Sequence, residues 1–596
     1  MRNKSNKRKL SRLLMVTGII AMSYGVMANN ITISNVTHLP NSTTNVDTIQ
    51  FDISWDNSWR NTGTPGTTMN YDGAWVFVKV RPSCSKDSAA PASNYNHAWL
   101  LNNISAYPAV AGTTLELGTS TVFGSPRAVG VFIYRSSDGA GTFSKTIRIL
   151  WDRNLMSQQT GWGFYSPLNS PYIPVNGWDI RVYAIEMVYI PQGAFYLGDA
   201  SGTSPYGSYC TFGLGNGGSP TQPYSVTNEG AISMGSTSGY LYTRQNYGAS
   251  FMGCGYNISG TLPANWPKGY DAFWVMKYEV TQQQIVDMMN SFNRTFQYNY
   301  APANSSYRSP MAQGQSSTSY PYWMTGQNPT PPAAPNYRNG CYMPLTYDPN
   351  APITFYNNLN NVMNDPTTWN DVDDGQTLAC NYLEPNSSYN YGLWRFLDWA
   401  CLRPITEFEY EKICRTPGVG LPPMFESPWG LDVTSTANYS YVVSVLNAGK
   451  ANEVPTNLGA TGLFHGSPNT SPSLYGPRRV GSTYGPSTNR VQAGSSYYGV
   501  ADMGGNVWEV VAAITNASSN YLQRTDLGDG IMNTSGQTNG FPTSWPTSMM
   551  GTSMSTQYYA YRGGSWRGSN QEAKISQRYY YSDGWDAMTM GGRGGR

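Results

Sequence analysis

The stretch GVADMGGNVWE, residues 499–509, places a tight glycine-containing turn directly before a short apolar segment. Asp and Asn side chains often hydrogen-bond to the backbone of such turns, so we expect Asp502 and Asn506 to hold this one. Trp508 follows the turn, and tryptophan is among the residues most buried on average. The stretch therefore predicts a turn that is fixed by polar side chains and leads into the core.

Further short motifs flank this turn along the chain. They are MVYIPQGAF (187–195), KYEVT (277–281), LRPITEFEY (402–410) and SPWG (427–430) before it, and RGGSW (562–566) after it. Six motifs in this order resemble the formylglycine-generating enzyme family, also called the sulfatase-modifying factor family. The resemblance covers about residues 183–596 and leaves residues 29–182 outside.

The predicted fold class is α+β. For residues 183–596 the resemblance implies a formylglycine-generating-enzyme-like (C-type lectin-like) domain with few helices and long loops. In residues 29–182, short β-branched and aromatic runs separated by polar turns predict an N-terminal immunoglobulin-like β-sandwich. A glycine-rich turn at 137–141 predicts a hairpin between the runs at 128–135 and 142–151.

Residues 1–28 have the composition of a signal peptide. Basic residues are followed by a mostly apolar stretch, 13–26, and by a small residue, Ala28, where cleavage is expected. This stretch is short for a membrane span, so we expect no membrane span after signal cleavage. The chain is therefore predicted to be secreted and to lie in the extracellular medium or at the cell surface.

Two helices have clear N-terminal signals. Thr281 with Gln284, and Thr406 with Glu409, fit the capping box, in which each side chain bonds to the backbone of the other residue. The second helix is expected to end before Pro417. Its carboxylates at 407, 409 and 411 are predicted to serve capping and to carry charge on a solvated face, because a catalytic carboxylate pair would require a cleft.

The chemistry of the family depends on cysteines that this chain lacks. The oxidising members use a cysteine pair just after the glycine-glycine-serine-aromatic motif, where it binds copper. Here no cysteine follows Cys414, and the three histidines lie far apart in the sequence. A thiolate copper site therefore cannot be built after the motif, and the histidine cluster that binds iron in related sulfoxide synthases is missing. We therefore expect no copper or iron, and a scaffold that is catalytically inactive.

The resemblance also implies a structural Ca²⁺ site. It would take carboxylate oxygens from Asp502 and Glu509 and backbone carbonyl oxygens from Gly505 and Val507. Hard oxygen ligands at a glycine-containing turn suit this ion. The alternative is the turn described above, held by side-chain hydrogen bonds without a metal.

The C-terminal stretch is the predicted ligand-binding region. In the family it lines the substrate groove, with Ser565 at the groove serine. Arginine and aromatic residues dominate binding hot spots, and the candidates are Arg562, Ser565, Trp566, Arg567, Arg578, Tyr580 and Trp585. The alternative is that the arginines make buried structural hydrogen bonds. Glycines near the C-terminus replace an expected core phenylalanine, which predicts a loose final strand or one completed by another chain.

Cysteine usage and charge limit the partners. Cys210 and Cys254 bracket a Gly/Ser/Tyr-rich segment that a disulfide could close into a loop in an exported protein.

Charged residues make up only 12% of the chain, against about 25% in typical domains. No strongly basic field exists for nucleic acid. A protein or glycan ligand, or self-association through adhesive surfaces, fits this composition. A metal-dependent oxidoreductase and a glycan-binding module are the alternatives.

Overall fold

The computed structural model describes the following parts of the chain: residues 30–63, 69–82, 95–158, 177–199, 210–217, 222–245, 258–300, 316–317, 321–324, 335, 337–361, 366–383, 392–418, 420–458, 463–464, 475–484, 488–514, 521–532, 541–546, 548–549, 558–579 and 586–596. The predicted signal peptide, Cys254 and the side chain of Cys210 lie outside these residues.

The fold is mostly β-structure with few helices, as predicted for an α+β chain. The N-terminal strands are β1 (Thr32–Leu39), β2 (Val46–Asn61), β3 (Asn70–Pro82), β4 (Asn96–His97), β5 (Thr113–Val122), β6 (Ser125–Arg135), β7 (Gly139–Asp152) and β8 (Trp178–Ile190). The later strands are β9 (Phe195–Leu197), β10 (Cys210–Leu214), β11 (Tyr224–Val226), β12 (Ile232–Met234), β13 (Leu241–Gln245), β14 (Gly260–Leu262), β15 (Phe273–Met276), β16 (Cys341–Tyr342), β17 (Tyr356–Asn357), β18 (Arg403–Pro404), β19 (Ser440–Tyr441), β20 (Val445–Leu446), β21 (Val454–Pro455), β22 (Leu463–Phe464), β23 (Trp508–Ala512), β24 (Ser548–Met549), β25 (Tyr558–Arg562), β26 (Met590–Gly591) and β27 (Gly594–Gly595).

The N-terminal strands enclose a core of their own. Strands β2 and β7 pair antiparallel over nearly their whole length, and β3 pairs with β6 and β8. Alternate residues of β2, such as Phe51 and Ile53, pack with Val76 of β3 and Val131 of β6. The immunoglobulin-like topology is not confirmed. The predicted hairpin is wrong, because β6 pairs with β3 and β5, whereas β7 pairs with β2.

One long strand joins the N-terminal part to the rest of the chain. Strand β8 pairs with β3 from Trp178 to Tyr189, and its last four residues also pair with β15 on the other side. The same sheet continues through β27 to β18. The predicted boundary at 182/183 therefore falls inside a strand that belongs to both parts.

Helices occupy a small share of the described residues. They are α1 (Gln282–Met289), α2 (Arg294–Tyr300), α3 (Gly392–Trp399), α4 (Glu407–Cys414) and α5 (Arg490–Ala493). Both predicted capping boxes are confirmed, at Thr281 with Gln284 and at Thr406 with Glu409. Helix α4 also ends where Pro417 predicts. Among the described residues, no helix is long and apolar enough to cross a membrane.

The C-terminal glycines are tightly packed, contrary to the prediction of a loose final strand. Gly591 and Gly594 are buried in β26 and β27, which pair with β23, β15 and β18. A Cβ atom on Gly594 would lie 2.4 Å from Leu397, and one on Gly591 would lie 2.3 Å from Val507. The missing side chains therefore allow the close approach of neighbouring elements.

Trp75 of β3 anchors the junction between the two parts. Its indole Nε1 donates to the carbonyl oxygen of Ala400 at 2.7 Å, and the Arg596 guanidinium lies 4.5 Å from the ring centre. A Cβ atom on Gly118 or Gly130 would come within 2.5 Å of this ring. The ring thus fills a slot between the N-terminal strands and the C-terminal residues.

Replacing Trp75 tests whether the two parts unfold as one unit. We expect Trp75→Ala to lower the free energy of unfolding by about 3–5 kcal/mol, because it leaves a cavity in the core. Urea unfolding followed by far-UV circular dichroism and by tryptophan fluorescence should give a single coincident transition. Trp75→Phe is the matched control with a smaller loss. Two separate transitions, only one of them shifted, would contradict the shared-sheet architecture.

Candidate functional site

The carboxylates of α4 are buried rather than solvated, which corrects the predicted solvent-facing role. Glu407 accepts two hydrogen bonds from Arg578, from Nε at 2.7 Å and from Nη2 at 2.8 Å. Its Oε1 also accepts from the backbone N–H of Ile514 at 2.9 Å. Burying a carboxylate is unfavourable unless it is paired and hydrogen-bonded. Arginines that are distant in sequence make this burial possible.

Arg562 completes the network around α4. Its Nη2 donates to Glu411 at 2.7 Å and to the carbonyl oxygen of Ile575 at 2.6 Å. Both Arg562 and Arg578 are at most 2% exposed. Of the two interpretations of these arginines, this geometry matches the structural one, because neither guanidinium reaches the surface.

Glu409 caps helix α4 and also forms an ion pair. One of its oxygens accepts from the backbone N–H of Thr406 at 2.9 Å. Arg403 donates to both of its oxygens, at 2.8 Å and 2.6 Å. The LRPITEFEY motif therefore contains both the capping residues of α4 and Arg403, which is the buried counter-charge of Glu409.

The turn at 499–509 is held by the side chains that the sequence singled out. Asp502 and Asn506 adopt positive φ angles of 55° and 63°, which these residues tolerate better than most. Asn506 donates to Glu279 at 2.5 Å and accepts from the backbone N–H of Arg478 at 2.8 Å. Asp502 accepts from the backbone N–H of Gly481 at 2.5 Å.

A buried arginine forms an ion pair with one of the carboxylates behind this turn. Arg593 Nε donates to Glu509 at 2.6 Å, and Nη1 donates to the carbonyl oxygen of Lys277 at 3.0 Å. Burial, together with the charges of Asp502 and Glu509, raises the pKa of the Glu279 carboxyl well above its usual range. The site thus combines three buried carboxyl groups with an internal cation.

One oxygen of each carboxylate in the predicted calcium site already has a protein partner. Glu509 is engaged by Arg593, and one Asp502 oxygen is engaged by Gly481. Within the described ranges, no group of three or more His, Cys, Asp or Glu side chains could hold a metal ion. Calcium at Asp502, Gly505, Val507 and Glu509 stays a prediction, because the second oxygen of Glu509 accepts no hydrogen bond from a described residue.

The RGGSW motif lies beneath a cluster of aromatic rings. Ser565 and Trp566 are buried, whereas Arg567 is exposed. The Trp566 ring lies 5.4 Å from the Tyr337 ring and 6.3 Å from the Tyr475 ring, centre to centre. Tyr475 is 44% exposed. We call the surface formed by Tyr337, Tyr475 and Arg567 over the buried Trp566 ring the Trp566 patch.

Sequence reasoning missed two members of this patch. Tyr337 and Tyr475 lie far from RGGSW in the chain, in loop-rich segments that carry many tyrosines, and no local pattern distinguishes them. The predicted binding residues Tyr580 and Trp585 lie outside the described residues. Trp508, predicted to be core, is half-buried and lies 4.9 Å from the Tyr579 ring.

The thiols in the described part of the chain are poor nucleophiles. Cys341, Cys380, Cys401 and Cys414 are buried and not disulfide-bonded. Burial raises the pKa of Cys414 to about 12, and it also raises the pKa of Cys401. Because the thiolate is the reactive form, these environments disfavour thiol chemistry.

Replacing Arg593 tests the internal cation. We expect Arg593→Met to lower the free energy of unfolding by about 3–5 kcal/mol, because it leaves buried carboxylates without their counter-charge. Chemical unfolding in EDTA and in excess Ca²⁺ measures both this loss of stability and the dependence of stability on calcium. Arg148→Met, on an exposed part of β7, is the control. An unchanged Arg593→Met protein would contradict the role of Arg593, and calcium-dependent stability of the wild type would support the ion.

Comparison with known proteins agrees with the motif order. The family model for the sulfatase-modifying factor enzyme 1-like domain matches residues 181–593. No curated protein matches the chain. Among solved structures, Treponema denticola variable protein 1 is 13% identical, and the match covers 69% of this chain and 95% of that chain with a TM-score of 0.23. That score supports no conclusion about this chain. The family model spans more than half of the sequence, so the chain belongs to the sulfatase-modifying factor enzyme 1-like family.

Proposed function

We propose that this protein is a secreted or cell-surface binding protein built on a catalytically inactive sulfatase-modifying factor scaffold, with the Trp566 patch as its ligand surface. The observation that carries this proposal is the composition of the surface above RGGSW. It offers the rings of Tyr475 and Tyr337 and the side chain of Arg567, and no cysteine occurs after Cys414.

The residue types of the patch support binding rather than catalysis. Tyrosine, tryptophan and arginine dominate the energetics of protein interfaces, because they bury large areas and can also form hydrogen bonds. Trp566 is fixed from below, since its Nε1 donates to the carbonyl oxygen of Met588 at 3.1 Å. A fixed ring with exposed neighbours is preorganised, which reduces the entropy lost on binding.

The ligand is a protein or a glycan at the extracellular surface. If it is a protein, it can be a second copy of this chain. Low charge and many Tyr and Asn residues favour adhesive contacts of this kind. The exposed Tyr475 ring favours the glycan alternative, because a flat ring can stack on a sugar. The N-terminal strands would orient the patch, since they share a sheet with the family domain.

An oxidation assay tests the absence of catalysis. The purified mature chain is incubated with a cysteine-containing peptide, copper and oxygen, and the peptide is analysed by mass spectrometry. We expect no conversion of the thiol to an aldehyde, because the described thiols are buried and burial raises the pKa of Cys401 and of Cys414. Aldehyde formation that is lost in Trp566→Ala would show instead a metal-dependent oxidoreductase.

Substitutions in the patch test binding. Glycan-array retention reports the glycan alternative, and sedimentation velocity reports self-association. We expect Tyr475→Ala to weaken whichever interaction occurs by about tenfold, which corresponds to about 1.4 kcal/mol at a hot spot. Tyr240→Ala is the control, because Tyr240 has a similar exposure of 39% but lies outside the patch. Equal losses in the two variants would contradict the assignment.

A further inference from the structure

A separate pocket of about 300 Å³ lies beside the C-terminal end of α4. It is bounded by Phe195 and Tyr196 of β9, by Ser225 of β11, and by Lys412 and Arg415. Its volume is at the lower end of the range typical of small-molecule sites. The pocket shares no lining residue with the Trp566 patch.

Lys412 is the exception among the charged residues of α4. Glu407, Glu409 and Glu411 are all paired with arginines, but no described carboxylate lies within ion-pair distance of the Lys412 ammonium group. Its Nζ donates to the carbonyl oxygen of Gly193 at 2.6 Å. The side chain is 2% exposed. A buried ammonium group with no anion is unfavourable, because burial disfavours the charged form.

Arg415 presents a second unsatisfied donor at the pocket. Its two terminal nitrogens donate to Glu426 at 2.6 Å and to Glu411 at 3.0 Å. Its Nε has no hydrogen-bond partner, although the residue is only 4% exposed. A buried N–H group without an acceptor is rare in proteins and calls for a ligand or water.

The other charged groups near the pocket have partners other than Lys412. The charged neighbours of Lys412 and Arg415 around the pocket are Glu426, Glu411, Asp199 and Arg490. Glu426 and Glu411 both accept from Arg415. Asp199 accepts from the Ser576 hydroxyl at 2.9 Å, and Arg490 donates to the Thr416 hydroxyl at 2.6 Å. None of these described acids forms an ion pair with Lys412.

The pocket walls beyond these cations are largely apolar. Phe195 lies under Lys412, with the ammonium group 5.3 Å from the ring centre. Pro417 and Pro422 form another part of the lining. An occupant that satisfies the whole pocket needs one anionic head and an apolar body.

We propose that this pocket binds a small organic acid, whose carboxylate pairs with the Lys412 ammonium group and accepts from Arg415 Nε. The apolar part of the acid lies against Phe195 and the two prolines. This site is independent of the proposed ligand surface at Trp566, so either one can fail without the other.

A matched pair of ligands tests the charge requirement on the wild-type protein. Phenylacetate carries an anionic head on an apolar ring, and phenylacetamide has nearly the same shape without the charge. Isothermal titration calorimetry at neutral pH should show binding of phenylacetate in the micromolar to millimolar range and an affinity for the amide at least about tenfold weaker. Equal affinities, or no binding of phenylacetate or hexanoate at millimolar concentration, would overturn the proposal.

A pair of lysine variants tests whether the ligand carboxylate binds at Lys412. Lys412→Met should weaken phenylacetate binding by at least about tenfold, because the charge is lost while the stem is kept. Lys268→Met is the control, because Lys268 is also buried, donates to the carbonyl oxygens of Pro263 and Trp266, and lies outside the pocket. Circular dichroism checks that both fold. Equal losses in both variants, or none in Lys412→Met, would refute the assignment.

The pH dependence gives a second readout that does not depend on the variants. Burial lowers the pKa of Lys412 to about 8, and a bound carboxylate favours the charged amine. Binding should therefore take up protons near pH 8, and the affinity should fall as the pH rises above 8. Calorimetry in two buffers of different ionisation enthalpy measures this uptake, and binding without it would contradict pairing with Lys412.

Discussion

The buried carboxylates of α4 impose the strongest constraint on this structure. A carboxylate inside a protein needs a counter-charge and hydrogen bonds. Glu407 and Glu411 obtain theirs from Arg578 and Arg562, and Glu409 is paired with nearby Arg403. Arg562 and Arg578 come from the C-terminal stretch, so the ion pairs fix that stretch against the helix. The surface around RGGSW is positioned by this network, in which Arg562 and Arg578 are buried.

Strand β8 has a comparable effect on the architecture. It is hydrogen-bonded to β3 on one side and to β15 on the other, so the N-terminal strands and the family domain share one sheet. Trp75 and Arg596 close the same junction. A partner bound at the Trp566 patch would thus be held in a fixed orientation to the N-terminal strands.

Buried charges are paired within the protein at the turn 499–509 but not at the pocket beside α4. Behind the turn at 499–509, Arg593 forms an internal ion pair with Glu509. At the pocket beside α4, Lys412 and the Arg415 Nε lack such a partner within the described residues. The first arrangement stabilises the scaffold. The second leaves binding energy available to an outside anion, because an unpaired buried cation gains more from a ligand than a paired one does.

The sequence by itself determined those features that depend only on residues close together in the chain. The capping boxes at Thr281 and Thr406, the turn at Asp502 and Asn506, and family membership follow from short motifs whose physics is local. The tertiary structure decided which charges are buried and which strands pair. Burial of Glu407 requires Arg578 from 171 positions away, and the pairing of β6 and β7 with different strands depends on the packing of the whole sheet. Such contacts leave no local pattern, because distant residues meet only when the core forms.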